Sequence, residues 1–130
     1  VVVPGLSRHL AAARLHVTKS ATANILTAQV AAIKEHRPSA KKRLGVLPYV
    51  AVFPRFLTFF EAATSEYAEG APETVAWLHQ QVYQQLGGAI FRQLELLHRD
   101  ADPEDEKEQT NACVMTIENT RFLIDALAAL

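Results

Sequence analysis

The residues best suited to catalysis lie in the tripeptide His98-Arg99-Asp100. This order occurs in the catalytic loop of protein kinases, where the Asp accepts the proton of the substrate hydroxyl. Such a loop needs an Asn five residues after the Asp, and Asp105 occupies that position here. No Gly-rich loop that could cover a nucleotide phosphate accompanies the tripeptide. We therefore interpret it as basic residues at the end of a helix.

Three acidic residues in the same region, Asp100, Asp102 and Glu104, alternate as the ligands of a calcium-binding loop do. A calcium loop needs Gly at its sixth position, where the chain turns sharply, and a chelating Glu at its twelfth. Asp105 and Asn111 occupy those positions in this chain. The alternation therefore indicates a solvated acidic loop. Within it, Asp102-Pro103 looks like a cap followed by a first-turn Pro, so we expect Asp102 to cap the fourth helix.

The His and Cys residues do not form a recognisable site. The five His, at positions 9, 16, 36, 79 and 98, never pair at a spacing of three or four residues, which a zinc site on one helix would need. Cys113 is the single Cys and has no identifiable base. We interpret it as a small core residue, and its isolation fits a reducing compartment. The sequence predicts no catalytic, cofactor-binding or metal-binding residues, and no enzyme.

The cluster Lys41-Lys42-Arg43 is the candidate contact site for a partner or an anionic surface. Each such charge contributes on the order of 1 kcal/mol at an anionic membrane, so three of them are a weak signal. A solvated turn is the competing interpretation. The cluster belongs to a basic half, because residues 1–55 carry a net charge of +8 and residues 56–130 carry −9. The two halves either attract each other or offer the basic half to an acidic partner or lipid surface.

With 49% hydrophobic and 21% charged residues, the composition is that of a globular chain. Apolar residues recur at helical spacing through most of it, and no period-two strand pattern stands out. We predict an all-α fold, a single antiparallel bundle over residues 1–130 with helices at about 6–36, 48–69, 72–99 and 104–129. The longest stretch without a charged residue, 74–91, contains His and four Gln, so it is too polar to cross a bilayer. No signal peptide is visible.

Each of the four predicted helices has an apolar row. The first helix has Leu6, Leu10, Ala13, Val17, Ala21, Ile25, Ala28, Ala32 and Ile33; the second has Phe53, Phe56, Leu57, Phe60, Ala63 and Tyr67; the third has Val75, Leu78, Val82, Leu86, Ile90, Leu94 and Leu97; the fourth has Val114, Ile117, Arg121, Ile124 and Ala128, widened by Met115, Phe122, Leu123 and Leu127. Pro54 should kink the second helix or mark its start near Val52. Gly87-Gly88 should lie at a close helix crossing.

Two stretches of the chain carry a family resemblance: KKRLGVLPYVAVFPRF at 41–56 and VMTIENTRFLIDAL at 114–127. Gly and Pro at fixed offsets in a helical chain make the first stretch fairly specific, and Met115 with Glu118-Asn119 makes the second one moderately so. Over about residues 30–128, the sequence resembles the C-terminal helical-rod region of the exocyst Sec-three subunit, also called exocyst complex component one.

The resemblance implies a non-catalytic, structural segment of a coiled-coil and bundle protein that helps to tether secretory vesicles at the plasma membrane in exocytosis. It implies other exocyst subunits as partners, with small GTPases or the membrane reached through the full-length protein, and neither nucleic acid nor a transmembrane segment. It also implies a cytoplasmic protein, peripheral at sites of exocytosis, without cofactors. The alternative is an anionic-lipid or nucleic-acid binding module that uses the basic N-terminal half.

Overall fold

The regular structure of the chain is helical throughout the described part, which confirms the predicted all-α bundle. A computed structural model describes the backbone of residues 6–130 and the side chains of residues 19–130. The helices are α1 (Leu6–Glu35), α2 (Pro48–Thr64), α3 (Pro72–Val82), α4 (Gly88–Asp100) and α5 (Glu106–Ala128). A 3-10 turn, Ser65–Tyr67, follows α2, and a π-helical turn, Tyr83–Gly87, joins α3 to α4.

The helices α3 and α4 form one continuous rod with the π turn between them. The backbone stays in the right-handed helical region on both sides of that turn, with φ −61° and ψ −50° at Val82 and φ −60° and ψ −42° at Gly88. The apolar row predicted for this rod is buried from Val75 to Leu97, as expected. The rod is the centre of the bundle, since α1 packs on the π turn and α4, and α5 packs on α4 and α2.

The helix α2 begins at Pro48, as predicted, and continues through Pro54, so the alternative start near Val52 is wrong. Pro48 occupies the first turn, where its missing N–H is no loss. Pro54 deprives the carbonyl group of Val50 of its helical donor. The burial of the apolar side chains of Val50, Phe53 and Pro54 in the core offsets this loss.

The predicted end of this helix at residue 69 is also wrong, because the α-helix stops at Thr64. The Thr64 hydroxyl donates to the Phe60 carbonyl at 2.9 Å, and the Ser65 hydroxyl donates to the Ala62 carbonyl at 2.9 Å. Hydroxyls that bond locally to the backbone compete with the helical ladder, and the chain continues as a 3-10 turn to Tyr67. The expected row therefore weakens at Ala63, which is exposed, although Phe53, Leu57 and Phe60 are buried.

The helix α5 begins at Glu106 instead of residue 104, because Asp105 is its N-cap. The Asp105 side chain accepts the backbone N–H of Glu108 at 3.2 Å. Asp102 was the expected cap, but its carboxylate accepts the N–H of Glu104 at 3.0 Å and closes a turn around Pro103. The acidic stretch is thus a solvated loop that leads into a capped helix.

The predicted buried rows of α1 and α5 are confirmed in part, because Ile33, Met115 and Leu123 are buried as predicted and several other members are exposed. In α1, Ile25 is 43% exposed, and Thr22, Leu26 and Ile33 form the buried row. The part of the predicted row from Leu6 to Val17 lies outside the residues whose side chains are described. Because α1 is rich in Ala, its faces differ little in hydrophobicity. The apolar periodicity therefore did not show which face of the helix is buried.

In α5, Ile117 and Ile124 are 65% and 62% exposed, and Arg121 is exposed as well. The buried row contains Asn111, Ala112, Met115, Asn119 and Leu123, of which only Met115 and Leu123 were predicted. Two of these residues are polar, which is why apolar periodicity alone did not identify the whole row.

Gly87 and Gly88 do not mark a close crossing of helices. A Cβ atom placed on Gly87 would lie 3.9 Å from the ζ carbon of Phe53, an ordinary contact, and one on Gly88 would meet nothing within 4 Å. The two residues lie where the π turn passes into α4. Neither position requires glycine for space or for backbone geometry.

Candidate functional site

Residues 36–47, which we call the connecting segment, join α1 to α2 and lie against α4 and α5. The segment begins where the backbone N–H of His36 donates to the Ala32 and Ile33 carbonyls at 3.3 and 3.2 Å. Pro38, two residues later, disfavours helical geometry at Arg37. Because α1 ends there, the segment is free to take a non-helical path across the bundle.

Gln93 fixes the end of α1 to α4. Its side-chain Nε2 donates to the Ile33 carbonyl at 2.8 Å, although the two residues are far apart in the sequence. Gln93 is 2% exposed, so this bond forms away from water. The Nε2 group is thereby paired, whereas Gln93 Oε1 is buried without a partner. The Nε2 bond sets where the connecting segment starts.

Asn111 holds the first part of the connecting segment. The Asn111 Nδ2 group donates to the Ala40 carbonyl at 2.9 Å. Ala40 is 3% exposed, so the segment enters the core at this point. A buried carbonyl outside a helix needs a partner, and α5 supplies it through this side chain.

Asn119 holds the last part of the segment and the start of α2. Its Oδ1 accepts the backbone N–H of Leu47 at 2.8 Å, and its Nδ2 donates to the Met115 carbonyl at 2.7 Å and more weakly to the Gly45 carbonyl at 3.5 Å. Asn119 is fully buried, with no exposed surface. Leu47 is the N-cap residue of α2 and makes no side-chain cap bond. Asn119 therefore fixes the N-cap residue of α2 from a different helix.

Two surface ion pairs join the connecting segment to the acidic half of the chain. Arg37 pairs with Asp100 at 2.6 Å, and Arg43 pairs with Glu118 at 2.6 Å. All four side chains are at least one-third exposed, so each pair contributes about 0–1 kcal/mol. The opposite charges of the two halves thus meet at this segment. The hydrogen bonds of the Asn111 and Asn119 side-chain amides contribute more to holding it in place.

The three residues of the predicted contact site have different surroundings in the structure. Arg43 lies against Glu118, whereas Lys41 and Lys42 are exposed and form no ion pair with any described side chain. The sequence did not reveal Gln93, Asn111 or Asn119 as site residues. The available signal was their spacing, because Asn111, Met115, Asn119 and Leu123 repeat every four residues.

No group of three His, Cys, Asp or Glu side chains among residues 19–130 could hold a metal ion. Cys113 is exposed, so its predicted place in the core is wrong. His79 Nε2 lies 3.0 Å from the buried Thr64 hydroxyl, which links α3 to α2. His98 Nε2 lies 2.8 Å from the Thr116 hydroxyl, which links α4 to α5.

Two buried side-chain atoms lack a hydrogen-bond partner in the described structure, Gln93 Oε1 and the Tyr49 hydroxyl. The hydroxyl of Tyr49 is shielded from solvent and unpaired. Burial raises the pKa of Tyr49 to about 12, because a charged phenolate would be poorly solvated there. Tyr49 lies next to Pro48 at the start of α2 and faces the end of α1.

No helix within residues 6–130 combines the length and hydropathy of a membrane span.

The fold and the site together define a structural helical bundle, in which buried side-chain amides hold the protein's own backbone. The chain belongs to the family described as Exocyst complex component Sec3, C-terminal, which matches residues 6–130. This match confirms the resemblance found in the sequence. No curated protein and no solved structure matches the chain.

The two stretches that carry the family resemblance are in direct contact. Arg43 and Leu47 belong to the first stretch, and Glu118 and Asn119 belong to the second. The Arg43–Glu118 ion pair and the Leu47–Asn119 hydrogen bond join residues more than seventy positions apart. The resemblance thus rests on residues that build one structural feature.

Proposed function

We propose that this chain is a non-catalytic structural and interaction segment of an exocyst subunit, which contributes to tethering secretory vesicles at the plasma membrane. The single observation that carries the proposal is the family match, which covers residues 6–130. The hydrogen bonds of the site support a structural role, because Gln93, Asn111 and Asn119 bond to backbone groups of the chain itself. In this role the bundle acts as a rigid element that presents its surface to other exocyst subunits.

Affinity capture of the full-length protein from its own cells, read by mass spectrometry, tests this function. We expect other exocyst subunits among the captured proteins. A parallel capture with residues 6–130 deleted measures what this bundle contributes, and we expect it to recover less of at least one subunit. Recovery of the intact protein without any exocyst subunit would contradict the proposal.

The same proposal places the protein in the cytoplasm, peripheral at sites of exocytosis on the plasma membrane. Small GTPases and the membrane would be reached through the full-length protein. Fluorescence imaging of the tagged full-length protein checks this location. We expect enrichment at sites of secretion that disappears when another exocyst subunit is depleted, and a uniform signal in both conditions would contradict it.

A second candidate function is contact with an anionic surface, a lipid membrane or nucleic acid, through Lys41, Lys42 and Arg43. The observation in its favour is that Lys41 and Lys42 are exposed on a segment whose path is fixed. Arg43 is held by Glu118, so it offers less of its charge to a ligand. Two free lysines supply on the order of 2 kcal/mol at an anionic membrane, which is weak for a sole anchor.

Sedimentation with phosphatidylserine vesicles tests the lipid version, and a duplex oligonucleotide tests the nucleic-acid version. The variant Lys41→Glu with Lys42→Glu is compared with Lys107→Glu and Arg121→Glu, which makes the same charge change at other exposed positions. The candidate predicts that only the first pair abolishes binding at low salt. Equal losses in both pairs would show nonspecific attraction to net charge.

A further inference from the structure

A continuous groove runs between the last turns of α1 and the beginning of α2. Its larger part, about 550 Å³, is bounded by α1, the connecting segment and the first residues of α2. Its smaller part, about 220 Å³, continues along α2. Gln29, Ile33, Pro48 and Tyr49 line both parts, so the two form one surface feature.

The groove is lined mainly by apolar side chains. Ile33 and Leu47 are buried at its larger end, and Phe53, Leu86 and Ile90 contribute to its smaller end. Two large apolar side chains remain in water beside it, Leu44 at 43% and Val52 at 52% exposure. An apolar concavity with exposed apolar side chains around it is the usual setting for an apolar anchor from a ligand or partner.

The charge around the groove is positive. No acidic side chain among the described residues lines it, and Arg37 lies at its larger end. Between residues 34 and 43 the chain carries five basic residues and one acid, Glu35. Arg37 and Arg43 pair with Asp100 and Glu118, so Lys34, Lys41 and Lys42 supply the charge that no described acid pairs. Arg37 keeps 52% of its side chain exposed while it pairs with Asp100. The rim would therefore attract acidic residues next to an apolar anchor.

We propose that this groove binds a short acidic, amphipathic segment of a partner protein. Apolar side chains of the segment enter the groove, and its Asp or Glu residues face Arg37, Lys41 and Lys42. The α2 lining from Pro48 to Phe56 is about 12 Å long, or two helical turns, which suits anchors spaced four residues apart on a bound helix. The proposal rests on the interaction role given above and adds the chemistry of one partner.

A lipid surface fits this feature less well than a peptide does. A bilayer is broad, and it would leave the apolar floor formed by Ile33 and Leu47 without contact. A peptide can fill the concavity and place charges at its rim at the same time. The shape therefore favours a peptide, and lipid binding becomes one outcome of the test.

Selection from a displayed library of random peptides, each about 16 residues or ~24 Å as a helix, tests the proposal with the full chain as bait. The groove variant is Ala32→Glu, which adds a negative charge at an exposed residue that lines the groove. Its control is Ala31→Glu, which makes the same change in the same helical turn at an exposed residue that lines neither part. Circular dichroism melting of both variants verifies that each is folded.

We expect the wild-type chain to enrich peptides with an apolar pair four residues apart and flanking Asp or Glu. The dissociation constant of such a peptide should rise about tenfold or more with Ala32→Glu and stay within about twofold with Ala31→Glu. Affinity should also fall as salt is added. Replacing the acids of the peptide by Lys should abolish binding.

Three outcomes would overturn the proposal: no enriched peptide, enriched peptides that are basic, or equal affinity for both variants. Vesicle binding that Ala32→Glu abolishes, in the absence of peptide binding, would also overturn it in favour of lipid. A further variant, Leu44→Asp, lies in the connecting segment outside the helices and should reproduce the Ala32→Glu result. The groove proposal can fail while the exocyst role holds, namely when capture of the full-length protein still recovers other subunits. The two experiments therefore test the two proposals separately.

Discussion

The central rod, α3 with α4, and the last helix, α5, bury their residues by different rules. In the rod, the buried row from Val75 to Leu97 is the one that apolar periodicity predicts. In α5, Asn119 is fully buried whereas Ile117 is 65% exposed. The difference lies in what each helix packs against. The rod packs mainly on helices, whose backbone groups are already paired, whereas α5 also packs on the connecting segment, whose backbone groups need partners.

The largest expected effect comes from the rod. Ile90, which is 1% exposed, contacts the core where α1 and α2 meet α4. Ile90→Ala should lower the free energy of unfolding by about 2–5 kcal/mol, because it removes buried methyl groups and leaves a cavity. Phe91 is its neighbour and is 51% exposed, so Phe91→Ala should cost less than about 1 kcal/mol. Chemical denaturation measures both, and equal losses would show that the rod is rotated from the position described.

The next effect comes from the buried row of α5. Asn119→Ala leaves the backbone N–H of Leu47 and the carbonyl of Gly45 without their partner. It should therefore cost about 1–3 kcal/mol, the penalty for unsatisfied buried groups. Ile117→Ala on the exposed face is the control and should change stability by no more than about 0.5 kcal/mol. If Ile117→Ala lowered the free energy of unfolding more than Asn119→Ala, the assignment of the buried and exposed faces of α5 would be contradicted.

A stabilising change is expected at the end of the π turn in the rod. Gly88 has ordinary helical backbone angles, and a Cβ atom there would meet nothing within 4 Å. Gly88→Ala should raise the free energy of unfolding by about 0.4–1 kcal/mol, chiefly by restricting the unfolded chain. Thermal melting checks this prediction. A lower melting temperature would show that the π turn depends on glycine at this position.

The smallest effect at neutral pH is expected at the groove. The Tyr49 hydroxyl is buried and unpaired, so Tyr49→Phe should be close to neutral or slightly stabilising. The folded-state pKa of about 12 is higher than the unfolded value of 10, so the unfolded chain loses the phenolic proton first as pH rises. The stability contribution is complete below pH 10 and is lost as pH rises towards 12. Wild type should therefore lose stability relative to Tyr49→Phe in that range, and parallel pH profiles would contradict the assigned burial.

The sequence predicted the fold class, the family and the central rod because each depends on a strong local signal. The rod repeats large aliphatic residues from Val75 to Leu97 at helical spacing, and the family resemblance rests on Gly45 and Pro48 at fixed offsets. The acidic loop was also recognised as solvated. These features need no knowledge of which elements touch one another.

The candidate site could not be predicted in the same way, because it depends on contacts between distant parts of the chain. The role of Asn119 is set by Leu47 and Gly45, more than seventy residues earlier. A polar residue in a helix is usually assigned to the solvent face, and that assumption placed Ile117 and Ile124 in the core. The cap at Asp105 was missed because Asp102 precedes a Pro and looked like the stronger signal.

Amide hydrogen exchange at Leu47 tests most directly the claim that Asn119 fixes the connecting segment on α5. The Leu47 N–H donates to Asn119 Oδ1 at 2.8 Å in a buried position, so its exchange should be slow in the wild-type chain. Asn119→Ala should accelerate exchange at Leu47 by at least about tenfold more than at amides of α4, whereas Ile117→Ala should leave it unchanged. Fast exchange at Leu47 in the wild-type chain, or equal rates in both variants, would contradict the account.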